Sequence, residues 1–575
     1  MSERTTESRD SEVVKNEPLV SDIDEKKEDN KKTNVKLLII IIAIFIILIT
    51  IIVILFLLNN DNSNNEDEED KEDEEEEIEG TDSIIATYIV YNPTDNIKLF
   101  NEKILDSINS IEINGETYNN TNTFVFNSSG EFEVIININK GIESMEEMFK
   151  ECGNLININL TQLNTKKLKT ISGMFYDCNY LSSINLNTFN TSSVENMSYL
   201  FSNNKYLEEI NIDNLDTSNV IDMSYIFSNC PSLINISLKN FNTKKAKSIQ
   251  GMFKGDKSLK NIELGNNFIT SEVTDMSELF YDCHQLKNIN LNTFDTSNVL
   301  NMRNIFHNCI RLTSIDVSKF STSKLIDISG MFSNCFSLTS IDMTNFDTSN
   351  IIDMNYLFSC CSKLKNVNLS SFKTSKVTNM EGMFYNCVSL TSLDLSNFDT
   401  SQVTKMNNMF DLCTSLYSLN LTNFDTSNVV DMSFMLAGSL NLTTIYTNSF
   451  NTKNVENMKN MFFGCYSLTD IDFSNFDTRN VKSMLTMFKG CNSITSINIS
   501  SFDTSNVENM EYIFEYCYNL DILDIRNFNS KSLKDDTCLL SNISENGTIY
   551  YNSDSFNQTL IDKFFENWEK IDVVK

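Results

Sequence analysis

Apolar positions between residues 143 and 530 recur on a fixed beat, and one copy of the unit shows how. In CVSLTSLDLSNFDTSQVTKMNNMFDL, from Cys387 to Leu412, Leu390, Leu393 and Leu395 form L-x-x-L-x-L. The last three residues of that run alternate apolar and polar, as a short half-buried strand does. Thr391, Ser392, Asp394, Ser396 and Asn397 are the polar alternates. Phe398 ends the strand, and Asp399-Thr400-Ser401 supplies side-chain oxygens for a turn or a helix cap. Val403, Met406 and Met409/Phe410 follow at i, i+3 and i+6/i+7, a spacing that predicts one face of a short helical turn. Each unit therefore reads as strand, turn and helical return.

A phenylalanine equivalent to Phe410 stands at 149, 175, 201, 227, 253, 280, 306, 332, 358, 384, 410, 462, 488 and 514, with Leu436 in the single gap. Every interval is 26 residues except the 27 from 253 to 280, where Gly265-Asn266-Asn267 forms an insertion. Fifteen copies at one period predict a solenoid, because no single unit can bury its apolar residues without a stacked neighbour.

The unit resembles leucine-rich repeats, whose core is L-x-x-L-x-L-x-x-N-x-L. It resembles the BspA-like group more closely, through the phrase F-[DN]-T-S-x-V-x-x-M-x-x-M-F-x-x-C. That phrase is carried by Phe398–Cys413, Phe424–Ser439 and Phe502–Cys517. The resemblance implies an α/β fold: a leucine-rich-repeat solenoid with a parallel concave sheet and short helical or turn-like convex returns, capped at both ends. It also implies display on a cell surface and a binding role. One departure is that Phe398 sits where many such repeats place a ladder-forming Asn, so no interior Asn ladder is expected.

The flanks suggest further segments. Residues 1–36 are polar and charged and read as a disordered cytoplasmic tail. Residues 37–58, LLIIIIAIFIILITIIVILFLL, would reach about 33 Å as a helix, enough for a bilayer core of about 30 Å. They read as a transmembrane signal anchor. Lys26, Lys27, Lys31, Lys32 and Lys36 precede them, which predicts a cytoplasmic N-terminus, extracellular repeats and a single-pass plasma-membrane location. Residues 59–83, dense in acids from Glu66 to Glu77, read as an extended stalk. Residues 84–142 read as an N-terminal β cap, 143–530 as the solenoid, and 531–575 as a C-terminal cap. In the last of these, NGTIYYNS predicts a strand and LIDKFFENWEKI an amphipathic helix carrying Trp568.

Charge and inventory narrow the function classes. A net charge of −33 argues against nucleic acid as a partner, since phosphate binding needs clustered Lys and Arg. All of the 14 cysteines but Cys360 and Cys538 fall three residues after the repeat phenylalanine; Asn204, Asp256 and Ser439 hold that place in the remaining copies. A site shared by Cys, Asn, Asp and Ser predicts a small hydrogen-bonding side chain in a buried thiol ladder rather than disulfides. The only histidines, His284 and His307, neighbour Cys283 and Cys309 but lack the close-spaced pairs of zinc motifs. The Asp-Thr-Ser triplets read as turn chemistry rather than calcium ligands. No enzyme, cofactor or metal is expected.

The most informative surface is the row between the two inward strand residues: Asn290, Asp316, Asp342, Asn368, Asp394, Asn420, Tyr446, Asp472, Asn498 and Asp524. In a leucine-rich-repeat horseshoe it faces the concave side. It is the candidate binding surface for an extracellular protein or glycan, in an adhesin or receptor-like protein; the alternative is a structural surface coat with no discrete ligand. N-x-[ST] sequons occur in this row at Asn368, Asn420 and Asn498, in its N-terminal continuation at Asn159, and at Asn119, Asn127, Asn542, Asn546 and Asn557 in the caps. If the chain passes through a eukaryotic secretory route, the caps are the expected glycosylation sites.

Overall fold

The repeats wind into a β-solenoid whose coils are joined by backbone hydrogen bonds from each turn to the next. The computed structural model describes residues 82–181, 184, 186, 189–533 and 542–574. The expected tail 1–36, the apolar stretch 37–58, all but the last two residues of the stalk 59–83, and Cys538 lie outside the described residues. The chain divides into a unit ending at Glu79 and a second beginning at Gly80, and the second is the one described.

A parallel bridge ladder threads every coil, from Ser144 through Thr170, Asn196 and Asp222 onward to Asn509. It runs through the residue before the first repeat methionine. The helical return expected there is not formed. In the unit containing Phe410, the N–H groups of Met406, Asn408, Phe410 and Leu412 donate to Asp431, Ser433, Met435 and Ala437 of the next coil. The alternate N–H groups of Met409, Asp411 and Cys413 donate to the carbonyls three residues back. Asn408 and Leu412 have φ of 59° and 59°, which a right-handed helix forbids and the third residue of a type II turn requires. Two consecutive turns of this kind place Met406, Met409/Phe410 and Cys413 inward at the same spacing as a helical face. The α/β fold class is therefore corrected to a β-solenoid with almost no helix.

The concave sheet is also less continuous than expected. Among the described residues it is a regular parallel pairing in three places: Asn235–Leu238 with Asn261–Leu264, Ser418–Asn420 with Thr444–Tyr446, and Ser496–Asn498 with Ile522–Asp524.

Several ladders fill the interior, and three of them bear on the repeat chemistry; a further column of buried phenylalanines runs through Phe372, Phe398 and Phe424. The repeat phenylalanines are stacked in near-parallel pairs, for example Phe358 on Phe384 at 5.7 Å and Phe384 on Phe410 at 5.8 Å, and the column breaks at Leu436. Buried threonines of the Asp-Thr-Ser triplet form a second ladder: Thr374 Oγ1 donates to the Asp399 carbonyl at 2.8 Å, and Asp399 N–H donates back at 2.8 Å. The cysteines form the third. Cys387 Sγ donates to the Phe358 carbonyl at 3.1 Å and Cys413 Sγ to that of Phe384 at 3.2 Å, and every described cysteine is free. Asn204 Nδ2 and Ser439 Oγ reach the equivalent carbonyls of Phe175 and Phe410 at 2.9 and 3.0 Å. Asn side chains do form ladders, but on outer turns, as from Asn350 to the Ser323 carbonyl at 2.7 Å.

Both ends are closed. At the N-terminal end β1 (Asp82–Val90) lies antiparallel to Leu155–Gln162 of the first coil, with Ile85 opposite Asn159. Gly130–Ile138 and Ile108–Ile113 extend that sheet outward. This covers the strand edge that a first coil would otherwise leave open. At the other end Thr548–Tyr551 and Glu569–Asp572 continue the parallel sheet, joined by a helix, Gln558–Phe564. The expected helix over LIDKFFENWEKI is therefore helical only to Phe564 and ends as strand from Glu569. Trp568 follows the helix, packs edge-on against Phe565 at 5.0 Å and donates Nε1–H to the Ser544 carbonyl at 3.0 Å.

The transmembrane anchor is corrected as well. Among the described residues no helix is long and apolar enough to cross a membrane. The seven residues of Gln558–Phe564 span about 10 Å, against the roughly 30 Å a bilayer core needs. The single-pass plasma-membrane location has no support there, and the stretch 37–58 itself lies outside the described residues.

Candidate functional site

Each row residue follows one inward strand residue and precedes another, as Asp394 stands between Leu393 and Leu395, so the coil repeat alone stacks the row into a column. Local chemistry then fixes the side chains. Asp316, Asp342, Asn368, Asp394 and Asn420 each accept the N–H of the second following residue on Oδ1, at 3.0 Å in all five. Asn290, Asp472 and Asn498 do the same at 3.0, 2.9 and 3.2 Å. These are Asx turns, which Asn and Asp favour because a short polar side chain can imitate a backbone turn. In several coils the hydroxyl of that residue adds a second bond, as from Ser318 to Asp316 at 2.6 Å and Thr344 to Asp342 at 2.7 Å.

This bonding sets the charge of the column. The Ser318 hydroxyl, with its N–H, holds the Asp316 carboxyl below the usual range. Asp342, Asp394 and Asp472 are lowered by the same pair of donors. The carboxylates are ionised at neutral pH, and one oxygen of each is committed to its turn. Tyr446 lacks the Asx bond, and Asp524 keeps it, from Arg526 N–H at 3.3 Å, in different surroundings. Tyr446 replaces the Asx side chain, is 51% exposed and lies opposite Asn420. Asp524 is buried and gripped by Arg526, through Nε at 2.9 Å and Nη2 at 2.5 Å.

The other sequence candidates are not brought together. Cys283 and Cys309 point inward and are fully buried. His284 lies on the outer turn beside Asp282 (3.8 Å) and Asn308 (3.1 Å), while His307 stacks on Tyr281 at 4.6 Å. Burial holds the His307 imidazole below its ordinary range. Among the described residues no group of three or more His, Cys, Asp or Glu side chains converges as a metal site. Asp399 and its equivalents cap their own turns, Asp399 Oδ1 accepting Ser401 N–H at 3.0 Å.

Sequence reasoning missed an exposed run of tyrosines, Tyr91, Tyr180 and Tyr206. The available signal was that Tyr180 and Tyr206 stand where other coils carry Ser337, Ser389 and Ser415.

Comparison with known proteins places the chain. Residues 143–264, 258–341, 337–448 and 440–564 each match the family described as Mycoplasma protein of unknown function, DUF285. No curated protein matches. A leucine-rich repeat protein from Bacteroides ovatus ATCC 8483 is similar at 17% identity, covering 73% of this chain and 88% of that one, with a TM-score of 0.34. An internalin from Listeria monocytogenes is 15% identical over 68% of this chain and 85% of that one, with a TM-score of 0.17. A leucine rich cell surface protein from Faecalibacterium prausnitzii A2-165 is 16% identical over 73% and 79%, also at 0.17. None of these descriptions names an enzyme. The family matches run without a break from residue 143 to 564, and the chain belongs to the DUF285 family.

Proposed function

We propose that the protein is a binding protein that engages a protein or glycan ligand across its concave row. The observation that supports this reading is the column itself. From Asn290 to Asn498 every coil presents an exposed side chain, and all but Tyr446 are held in the same orientation by an Asx bond. Side chains ordered before a ligand arrives lose little rotamer freedom on binding, so their hydrogen bonds count more fully toward affinity. The column offers carboxylate oxygens and carboxamide groups at a regular rise, which suits a repeating or extended ligand. The test is an array of glycans and proteins probed with the parent chain and with Asp342→Ala/Asn368→Ala/Asp394→Ala. Binding of one class by the parent and its loss in the variant is the expected result.

A second reading, a structural coat, is favoured by a different feature. Leu300, Ile326 and Ile352 occupy one outer position in successive coils and are 42%, 41% and 45% exposed. Such an aliphatic strip suits lateral packing of solenoids. No binding to any class at micromolar concentration, together with concentration-dependent assembly in sedimentation, would select the coat.

A further inference from the structure

The N-terminal coils carry a second surface of different chemistry. Tyr91, Tyr180 and Tyr206 form an outward run of ring contacts with centroids 5.6 Å apart at both steps, tilted by 58° at the first and stacked at the second. They are 62%, 40% and 49% exposed, whereas the phenylalanine column is buried. The run leads into a groove of about 710 Å³ that crosses three coils and is lined by Tyr206, Glu208, Glu209, Ile234, Asn235 and Glu263 among others. No lining residue is basic. All three glutamates are exposed, and among the described residues none of them is ion-paired; Glu263 accepts only the Ser237 hydroxyl, at 3.0 Å. Tyr206 already attracts a cation, the chain's own Lys205, whose Nζ is 5.3 Å from the ring centroid.

We propose that this groove binds an arginine-rich segment of a partner protein. The inference rests on the binding reading of the concave face but places a distinct site at its N-terminal end. Three carboxylates beside an aromatic ring and an aliphatic floor call for a cation that is flat, weakly hydrated and able to donate in a fork. A guanidinium fits all three demands, stacking on Tyr206 while pairing with Glu208, Glu209 or Glu263. A lysine ammonium would meet the charge but not the stacking. A neutral sugar would cover the carboxylates without countercharge, which opposes binding.

The test is fluorescence anisotropy of a labelled peptide of alternating Arg and Ser, titrated with the full chain. A Gln/Ser peptide of equal length and a neutral oligosaccharide serve as comparison ligands. Because the whole chain is acidic, Glu208→Gln/Glu209→Gln/Glu263→Gln is compared with Glu545→Gln/Asp554→Asn/Glu566→Gln, three exposed acids of the C-terminal cap, which removes equal charge elsewhere. The groove variant is expected to weaken the arginine peptide by about tenfold and Tyr206→Ala by about threefold, with the cap variant near the parent. Equal binding by groove variant and parent, or equal loss in both triple variants, overturns the proposal. So does an oligosaccharide that binds and is released by Tyr206→Ala, which would make the groove a glycan site. The broader reading fails separately, through the array and the concave-row variant.

Discussion

At the scale of single residues, the interior site three places after the repeat phenylalanine asks for a hydrogen-bond donor. Thiol, carboxamide and hydroxyl all serve there, reaching a carbonyl of the preceding coil at 3.1, 2.9 and 3.0 Å from Cys387, Asn204 and Ser439. Cys387→Ser should therefore be tolerated far better than Cys387→Leu, which overpacks a filled interior by about 1–3 kcal/mol; denaturant midpoints for the pair decide it. Asp256 is the exception, since a carboxylate has no proton to give. Its Oδ1 accepts the Cys230 N–H at 2.8 Å, and its Oδ2 is buried without a partner. Burial raises its carboxyl well above the ordinary range, and its charge bears on the neighbouring Cys230 and Cys283 thiols. The folded state thus keeps a proton that the unfolded state releases near pH 4. Its contribution is complete below about pH 4 and declines as pH rises toward the folded value. Asp256→Asn supplies a permanent donor. It should raise the melting temperature at pH 7, by the equivalent of about 1–3 kcal/mol, and change little at pH 4. Identical pH profiles in variant and parent would sink this account. The substitution pattern Cys, Asn, Asp, Ser made the site legible in the sequence as small and polar. The direction of its bond, and hence the oddity of Asp256, needed the carbonyl in view.

At the scale of the element, the 26-residue unit was legible and its return was not. The turn triplet and the inward methionines are where the apolar pattern puts them, while the strand is regular in only some of the coils. The pattern could not separate a helical face from two tandem turns, because both set inward residues three and four apart. The separating signal was faint: Gly or Asn at the third residue of each turn, as in Gly382, Asn386 and Asn408, diluted by Tyr356, Phe434 and Tyr512 at the same places. The two readings disagree about one substitution. In an exposed helix Gly382→Ala would stabilise by about 1 kcal/mol. Here Gly382 has φ of 56°, and an added Cβ would lie 2.3 Å from the Tyr356 ring. Gly382→Ala should destabilise by about 1–2 kcal/mol from backbone conformation alone, before the ring has moved. Chemical denaturation of parent and variant gives the sign. The row residues were legible as a column, but their capture in Asx turns was not, since Asp394 and Asn420 read equally well as free surface groups.

At the scale of the whole molecule, the period fixed the number of coils, while the ends depended on pairings between residues far apart in sequence. No local signal tells that β1 will close the first coil, or that Glu569–Asp572 will leave its apparent helix to join a sheet. The axial hydrogen bonds have a mechanical consequence. Pulled from its two ends, the solenoid carries tension through one coil interface after another, so each interface feels the full load and they rupture singly. Every freed coil of 26 residues lengthens the tether by about 90 Å at the reach of an extended chain. Under an optical trap the trace should be a train of near-equal steps of that size. Early rupture is expected beside Leu436, where the aromatic column is interrupted, and Leu436→Phe should shift that event to higher force. A single cooperative release of the whole array would show instead that the coils share their load, and that the chain is a rod rather than a ratchet of weak links.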